Sequence, residues 1–428
     1  MLRRPLRQLG LVRRASSFRL LFLAALGSGA GTWLAIVALN VEILDKTHSG
    51  AWLGALNVAA ILPSAFIGLL GGPLVDRLSR KRLMIGSDLL RVAVFAALPF
   101  ASRPAAIVAL ALAAGLGDAF FRPAVLAGVP NLVAGEDLAD ANFLLTAAQW
   151  LTTAAGPLIG GALVAASGPD LAYWVNAVSF LVSALLIARI EARLLQSDRP
   201  LSRGHWRDLG DGIALVRSSA PLLVVFVVWN IGMLANGGVN VSEVVLAKET
   251  LSGGAFGYGL LWGATGLGLV LGGSVFAGTA ARRPIALVYP AGIALFAAAI
   301  GLAAVAPNIW VAAAAMVVSG IGNGVAVVAN ITLVQRGAPD HLRGRAFTVI
   351  MSANFVVLGA AMFAAGPLTD RYGARWIWGG SAIVLAFAAG LAFALCRALL
   401  VEASPEQVEQ MEQAELASQS STARAASH

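Results

Sequence analysis

The side chains best placed to do chemistry are a few carboxylates, guanidinium groups and amides set inside long apolar runs. Asp88 and Arg91 stand three positions apart and Asp118 and Arg122 four, so on a helix each pair can meet on its own face. A charge at mid-bilayer costs at least about 2.5 to 3.5 kcal/mol, so each needs a partner or a water-filled cavity. Together these four residues form either an inner charge network that switches between conformations or two structural ion pairs. Asn236, Asn240 and Glu243 recur at i, i+4 and i+7, which places two amides and a carboxyl on one helical stripe. Asn40 and Glu42 occupy a comparable depth in the first apolar run. A carboxyl group in a partly dry cavity can load a proton from one side of a membrane and release it to the other. Glu243 is the first candidate for that role, Asp118 the second and Glu42 the third; the alternative for Glu243 and Glu42 is solvation of helix ends in the outer interface. Asn40, Asn236, Asn240, Gln149, Asn323 and Asn354 are candidates for lining a cavity or for hydrogen-bonding a neighbouring helix.

Other chemistries find little support in the chain. His48, His205, His341 and His428 are scattered through expected loops and the tail, and the single cysteine, Cys396, lies in the last apolar run. No metal site and no cofactor are expected. Short patterns such as Gly266-Leu267-Gly268 fall inside apolar stretches without the strand and acidic partner of a dinucleotide site, and are expected to be packing glycines. No Ser-His-Asp arrangement or phosphate loop gathers at one depth, so the protein is not expected to be an enzyme.

The elements that position these residues follow from composition. Of 428 residues 58% are apolar and 12% charged, against roughly 25% charged in soluble domains, so the chain is expected to be an all-α polytopic membrane protein. Twelve apolar stretches fall near 18–44, 51–72, 83–101, 104–129, 138–166, 171–190, 221–246, 254–279, 284–305, 308–334, 345–369 and 376–399, each about the 20 residues a crossing needs. Little chain remains outside them, so any chemistry must sit between helices.

Charge orients the whole. With the N-terminus inside, 23 of the 30 Lys and Arg residues fall on the cytoplasmic side and five outside, with Arg91 and Arg122 inside helices. The net charge of +8 is thus a topology signal, and no nucleic-acid partner is expected. The expected organisation is a basic cytoplasmic N-terminus (1–17), a six-helix bundle (18–190), a cytoplasmic linker (191–220), a second six-helix bundle (221–400) and a mostly disordered cytoplasmic tail (401–428). In the linker Trp206, Leu209, Ile213 and Val216 keep helical spacing, which suits an amphipathic helix on the inner membrane surface.

The second half echoes the first at a spacing near 203. Gly115-Leu116-Gly117-Asp118 meets Gly320-Ile321-Gly322-Asn323, Leu138 meets Leu342, Phe143 meets Phe347 and Trp174 meets Trp378. Two pseudo-symmetric six-helix bundles bracketing a central site are a transporter architecture.

Between helices 2 and 3 the chain reads Gly72-Pro73-Leu74-Val75-Asp76-Arg77-Leu78-Ser79-Arg80-Lys81-Arg82. This resembles the cytoplasmic signature loop of the major facilitator superfamily, Gly-x-x-x-Asp-Arg-x-Gly-Arg-Lys/Arg. Gly72, Asp76, Arg77, Arg80 and Lys81 fit, while Ser79 replaces the second glycine. Leu62-Pro63, Asp88-Leu89-Leu90-Arg91, Pro123-Ala124, Gly156-Pro157-Leu158-Ile159-Gly160-Gly161, Asn176-Ala177-Val178-Ser179-Phe180 and Arg343-Gly344-Arg345 resemble the bacterial branch that includes enterobactin exporters and macrolide efflux proteins. The resemblance implies the major facilitator fold, a bacterial cytoplasmic membrane with both termini inside, and a gating loop whose Asp76 stabilises the outward-open state by contacts across the two halves; the alternative is a solvated basic loop. It also implies a monomeric, proton-coupled exporter of amphiphilic small molecules such as drugs, macrolides or siderophores, working by alternating access. Its partners would be the small-molecule substrate, protons and the lipid bilayer. Proton-coupled uptake of a metabolite is the alternative, and a membrane enzyme or lipid-handling protein on the same scaffold the remote one.

Overall fold

The computed structural model describes residues 10–70, 78–195, 205–278, 283–339 and 342–402. In hydrocarbon every backbone N–H and C=O must be paired within its own segment, so apolar runs of this length become helices. Twelve helices among the described residues are long and apolar enough to cross a membrane. They are α1 Ser16–Thr47, α2 Gly50–Leu70, α3 Arg80–Ala97, α4 Pro104–Gly128, α5 Leu138–Ser167, α6 Pro169–Ala188, α7 Ala220–Val245, α8 Gly254–Gly278, α9 Ile285–Ala304, α10 Ile309–Gly337, α11 Arg343–Tyr372 and α12 Ala374–Glu402. Several outrun their apolar cores: α1 begins at Ser16 and α11 at Arg343. Helical hydrogen bonding continues into the polar interface, where hydropathy has already fallen.

Odd-numbered helices start on the face that carries Ser16, here the near face, and even-numbered ones start on the opposite, far face. All far-face connections are short, and the described residues with left-handed backbone lie in them: His48, Gly168, Ser252, Gly254 and Gly373. Gly168 (φ 75°) joins α5 to α6 and Gly373 (φ 83°) joins α11 to α12, so the repeat seen in side chains recurs in backbone geometry. Helices α1–α6 form one bundle and α7–α12 the other.

The bundles meet where α2 crosses α11 and α5 crosses α8. Glycine lets these backbones touch at the far-face ends. A Cβ on Gly50 would lie 2.6 Å from the carbonyl oxygen of Gly366, one on Gly54 2.7 Å from that of Met362, and one on Gly161 2.6 Å from that of Ala255. Toward the near face the seams loosen: a Cβ on Gly359 would reach only the Ile61 side chain at 4.0 Å, and one on Gly273 only the Trp150 ring at 3.6 Å. The bundles are thus joined backbone to backbone on the far side and diverge toward the near side.

The linker contains a helix, His205–Ser218. It packs beneath the near-face start of α11, with Asp211 Oδ2 accepting from Arg345 Nη1 at 2.7 Å and Gly212 seated against Val349. Val216 is buried and Ile213 exposed, so part of its apolar face is spent on the second bundle.

Candidate functional site: the cavity between the bundles

Divergence of the bundles leaves a cavity of about 580 Å³ bordered by α1, α2, α3, α4, α6 and α11. A second lobe of about 280 Å³ runs between α1, α4 and α5 and shares Thr32, Ile36, Asp118, Arg122 and Leu126 with the first. The polar groups come from the first bundle: Asp118 and Arg122 from α4, Ser64 from α2, Gln149 and Thr152 from α5. The second bundle contributes Met351 and Phe355. A charged wall therefore stands opposite an apolar one. Above it, Asn57 Nδ2 donates to Asn40 Oδ1 at 2.8 Å, and the Trp33 and Trp262 rings meet across the bundle interface with centroids 5.3 Å apart.

The charges behind this wall resolve into one buried pair and its extension. Asp88 is fully buried; it accepts from Arg91 Nη2 at 2.6 Å and from Ser183 Oγ at 2.7 Å. The Arg91 guanidinium is held between the Phe121 and Phe180 rings, 4.5 and 4.2 Å from their centroids. A buried ion pair survives only when its remaining hydrogen-bonding capacity is met. Arg91 meets it with Ser28 Oγ at 3.4 Å and, at 3.6 Å, with Asp118. Asp118 thus touches the buried pair with one oxygen while its side chain is 50% exposed to the cavity. Spacing alone pairs Asp118 with Arg122. In the structure Arg122 Nη2 instead donates to Gln149 Oε1 on α5 at 3.0 Å, because the long guanidinium arm reaches across the groove between α4 and α5. Asp88, Arg91 and Asp118 are brought together, and Arg122 forms a separate link to Gln149.

The other sequence candidates are distributed more widely. Glu42 is fixed by Lys46 Nζ at 2.7 Å and by the Tyr173 hydroxyl, which donates to it. Glu243, at a similar depth in α7, is buried to 3% exposure, and its Oε1 has no hydrogen-bond partner among the described residues. The amides below it turn back onto their own helix, Asn240 Nδ2 to Asn236 O at 2.7 Å and Asn236 Nδ2 to Gly232 O at 3.1 Å. Asn236 and Asn323 line a small void of about 40 Å³ inside the second bundle, with Trp229 and Asn330, rather than the central cavity. Asn354 is buried in α11 with neither side-chain polar atom partnered among the described residues. Asn40 lies above the cavity, in the bond to Asn57.

Of the signature loop, Gly72, Asp76 and Arg77 lie outside the described residues. Arg80 Nη1 donates to Ala127 O at 2.9 Å and to Leu195 O at 3.2 Å, and Lys81 Nζ donates to Ala188 O at 2.7 Å and Ile190 O at 2.5 Å. Both cations thus serve carbonyls at the C-terminal ends of α4 and α6 and in the segment just after α6, all in their own bundle.

Sequence reasoning overlooked the far-face contacts between bundles. Lys248 Nζ pairs with Asp45, and His48 Nδ1 lies 3.6 Å from Glu249. Asp370, at the end of α11, accepts from the backbone N–H of Gly50 at 2.5 Å and of Ala51 at 3.1 Å, and from Ser49 Oγ at 3.0 Å. A signal for Asp370 exists in the chain, since Gly366-Pro367-Leu368-Thr369-Asp370-Arg371 repeats five of the six residues of Gly72-Pro73-Leu74-Val75-Asp76-Arg77.

Comparison with known proteins agrees with this architecture. The chain is 30% identical over 372 residues to the multidrug efflux pump Tap of Mycolicibacterium fortuitum, covering 83% of this chain and 89% of that one. It is 29% identical over 355 residues to the enterobactin exporter EntS of Salmonella typhi, covering 79% and 82%. Among solved structures, a bacterial homologue of the iron transporter ferroportin in an inward-facing state superposes with a TM-score of 0.72 at 16% identity, over 89% of this chain and 98% of that one. The family model described as transmembrane secretion effector matches residues 12–426, and with two six-helix bundles around one cavity the chain belongs to that family of major facilitator superfamily transporters.

Proposed function

We propose that the protein exports amphiphilic small molecules from the cytoplasm in exchange for protons, by alternating access. The observation that carries this reading is the two-sided cavity, with Asp118, Arg122 and Gln149 on one wall and Met351 and Phe355 on the other. Such a wall pair suits a cargo with a polar or charged head and an apolar body. At about 580 Å³ for the main lobe it takes a drug-sized molecule. The relatives named as efflux pump and exporter support the outward direction. The concentration of Lys and Arg at the near-face ends supports a cytoplasmic near face, which makes the present conformation the inward-open one.

Glu243 is the proposed proton carrier. Its pseudo-symmetric counterpart Glu42 has a lysine and a tyrosine to answer its charge, whereas Glu243 Oε1 has no partner among the described residues. Leaving one oxygen of a buried carboxylate without a partner is costly while the group is charged, and a proton removes that cost. Uptake and release of this proton would then be tied to whether α7 is sealed against its neighbours or opened to water.

The test is efflux from energised inverted vesicles, using a panel of dyes, macrolides and siderophores with and without a protonophore. Accumulation that collapses with the protonophore is expected. Glu243→Gln keeps the shape and neutrality of the protonated acid, and is expected to remove the pH dependence of transport while leaving membrane insertion normal. A mutant that retained that dependence would reject Glu243 as the carrier.

A further inference from the structure

The hexapeptide repeat that ends one residue after Asp370 does not belong to the duplication that built the two bundles. Its copies lie 294 positions apart, far from the spacing near 203 that relates equivalent helices. The second copy closes α11, and in the chain the first follows α2; these two helices belong to different bundles and run antiparallel along the same seam. Residues 72–77 lie outside the described residues; the copy with a described geometry is the one that holds Asp370.

Asp370 is a carboxylate of the second bundle placed on the first turn of a helix of the first. Its two oxygens accept the N–H groups of Gly50 and Ala51 and the hydroxyl of Ser49. The first N–H groups of a helix have no partner within it, and the helix dipole favours a negative charge at that end. In most helices a residue of the same chain segment supplies the cap; here it comes 320 residues later, from across the seam. The approach depends on glycine, because a Cβ on Gly50 would lie 2.6 Å from the Gly366 carbonyl oxygen. Thr369, next to the cap, is buried, and its hydroxyl is satisfied within α11 by Ala365 O at 2.7 Å.

We propose that Asp370 is a far-face latch: it holds the two bundles together on that face while the cavity is open to the near face, and it must let go of α2 each time the far face opens. The other far-face cross-bundle contacts are of a different kind. Asp45 with Lys248 and His48 with Glu249 join side chains that are mostly well exposed, and surface ion pairs of that sort are weak. Asp370 is itself exposed, but it makes three bonds together, two of them charge-assisted to fixed backbone donors at a helix start, and parting the helices loses all three at once.

The test reads far-face distance directly and requires neither a cargo nor a direction of transport, so it is independent of the exporter reading. Cys396 is replaced by serine, and spin labels are placed at Arg103→Cys and Pro307→Cys, one far-face turn in each bundle. Full-length protein in nanodiscs is then measured by pulsed electron–electron spectroscopy. The parent is expected to show mainly the short distance. Asp370→Asn is expected to raise the ratio of long to short distances by about tenfold, as for loss of a charged hydrogen-bond cluster. Asp370→Glu is expected to restore part of the short population, and Asp45→Asn to leave the distribution near that of the parent. A helix cap that served folding alone would lower the melting temperature without moving this ratio. An Asp370→Asn distribution equal to the parent's overturns the latch. Should that variant fail to insert, Ser49→Ala removes one of the three donors and is expected to raise the long-distance fraction measurably; an unchanged distribution there overturns it equally.

Discussion

At the scale of single residues, the centre of the site is Arg91, a guanidinium with 2% side-chain exposure that answers Asp88 on one side and Asp118 on another. Removing one member of a buried pair leaves an uncompensated charge, which costs about 3–5 kcal/mol. Arg91→Met is therefore expected to lower thermal stability in detergent sharply, and the double variant Asp88→Asn, Arg91→Met to recover much of the loss. A double variant no more stable than Arg91→Met alone would count against pairing as the reason both residues are tolerated. Asp118 behaves differently because half of its side chain faces the cavity. Asp118→Asn is expected to keep the protein folded, as judged by its melting temperature, and to reduce transport of cargo with a cationic head in the vesicle assay. Residue types and the spacing of three already pointed to the Asp88–Arg91 bond. The partners that make it tolerable, Ser183, Phe121 and Phe180, come from other helices, and a one-dimensional spacing cannot report them.

At the scale of elements, the seams decide how the bundles move. Helices in lipid gain little from hydrophobic burial against one another, so close packing of small residues supplies much of the association. The α5–α8 seam places Gly161 against Gly259, with a Cβ on Gly161 falling 2.6 Å from Ala255 O. Overpacking of a tight contact costs about 1–3 kcal/mol. Gly161→Val is accordingly expected to lower the melting temperature by several degrees and to push the far-face ends apart, read with the same spin-labelled pair. By contrast Gly86, on α3, has open space where a Cβ would stand, and Gly86→Ala is expected to be silent in both measurements. The glycine pattern was visible in the sequence as a property of apolar runs. Which glycines face a partner depended on the crossing of helices far apart in sequence.

At the scale of the whole molecule, orientation and conformation are separate questions. Orientation is tested by labelling with a membrane-impermeant maleimide in intact cells, on a Cys396→Ser background. Arg103→Cys, in the far-face turn between α3 and α4, is expected to react from outside. Arg217→Cys, exposed on the linker helix, is expected to react only after permeabilisation; the reverse pattern would invert the topology and with it the direction of export. Conformation rests on the unequal seams, closed at Gly50, Gly54 and Gly161 and loose at Gly359 and Gly273.

The twelve crossings, the division into two related bundles, the basic face and the family itself could all be worked out from the chain as written. Each depends on local hydropathy, on charge at helix ends or on a short motif, and these are properties of neighbours in sequence. Three things depended on the tertiary structure. Asp118 turns to Arg91 and Arg122 to Gln149, because side chains choose partners in three dimensions among helices whose rotation the chain does not state. Both oxygens of Glu42 are answered, by Lys46 and Tyr173, whereas Glu243 Oε1 is left without a hydrogen-bond partner among the described residues, because which side chains converge on a buried acid is set by helices far apart in sequence. And the partner of Asp370 became legible only when α11 was seen to end on the first turn of α2, since the hexapeptide repeat marks the residue but a cap supplied from another bundle leaves no trace in the residues around the helix that it caps.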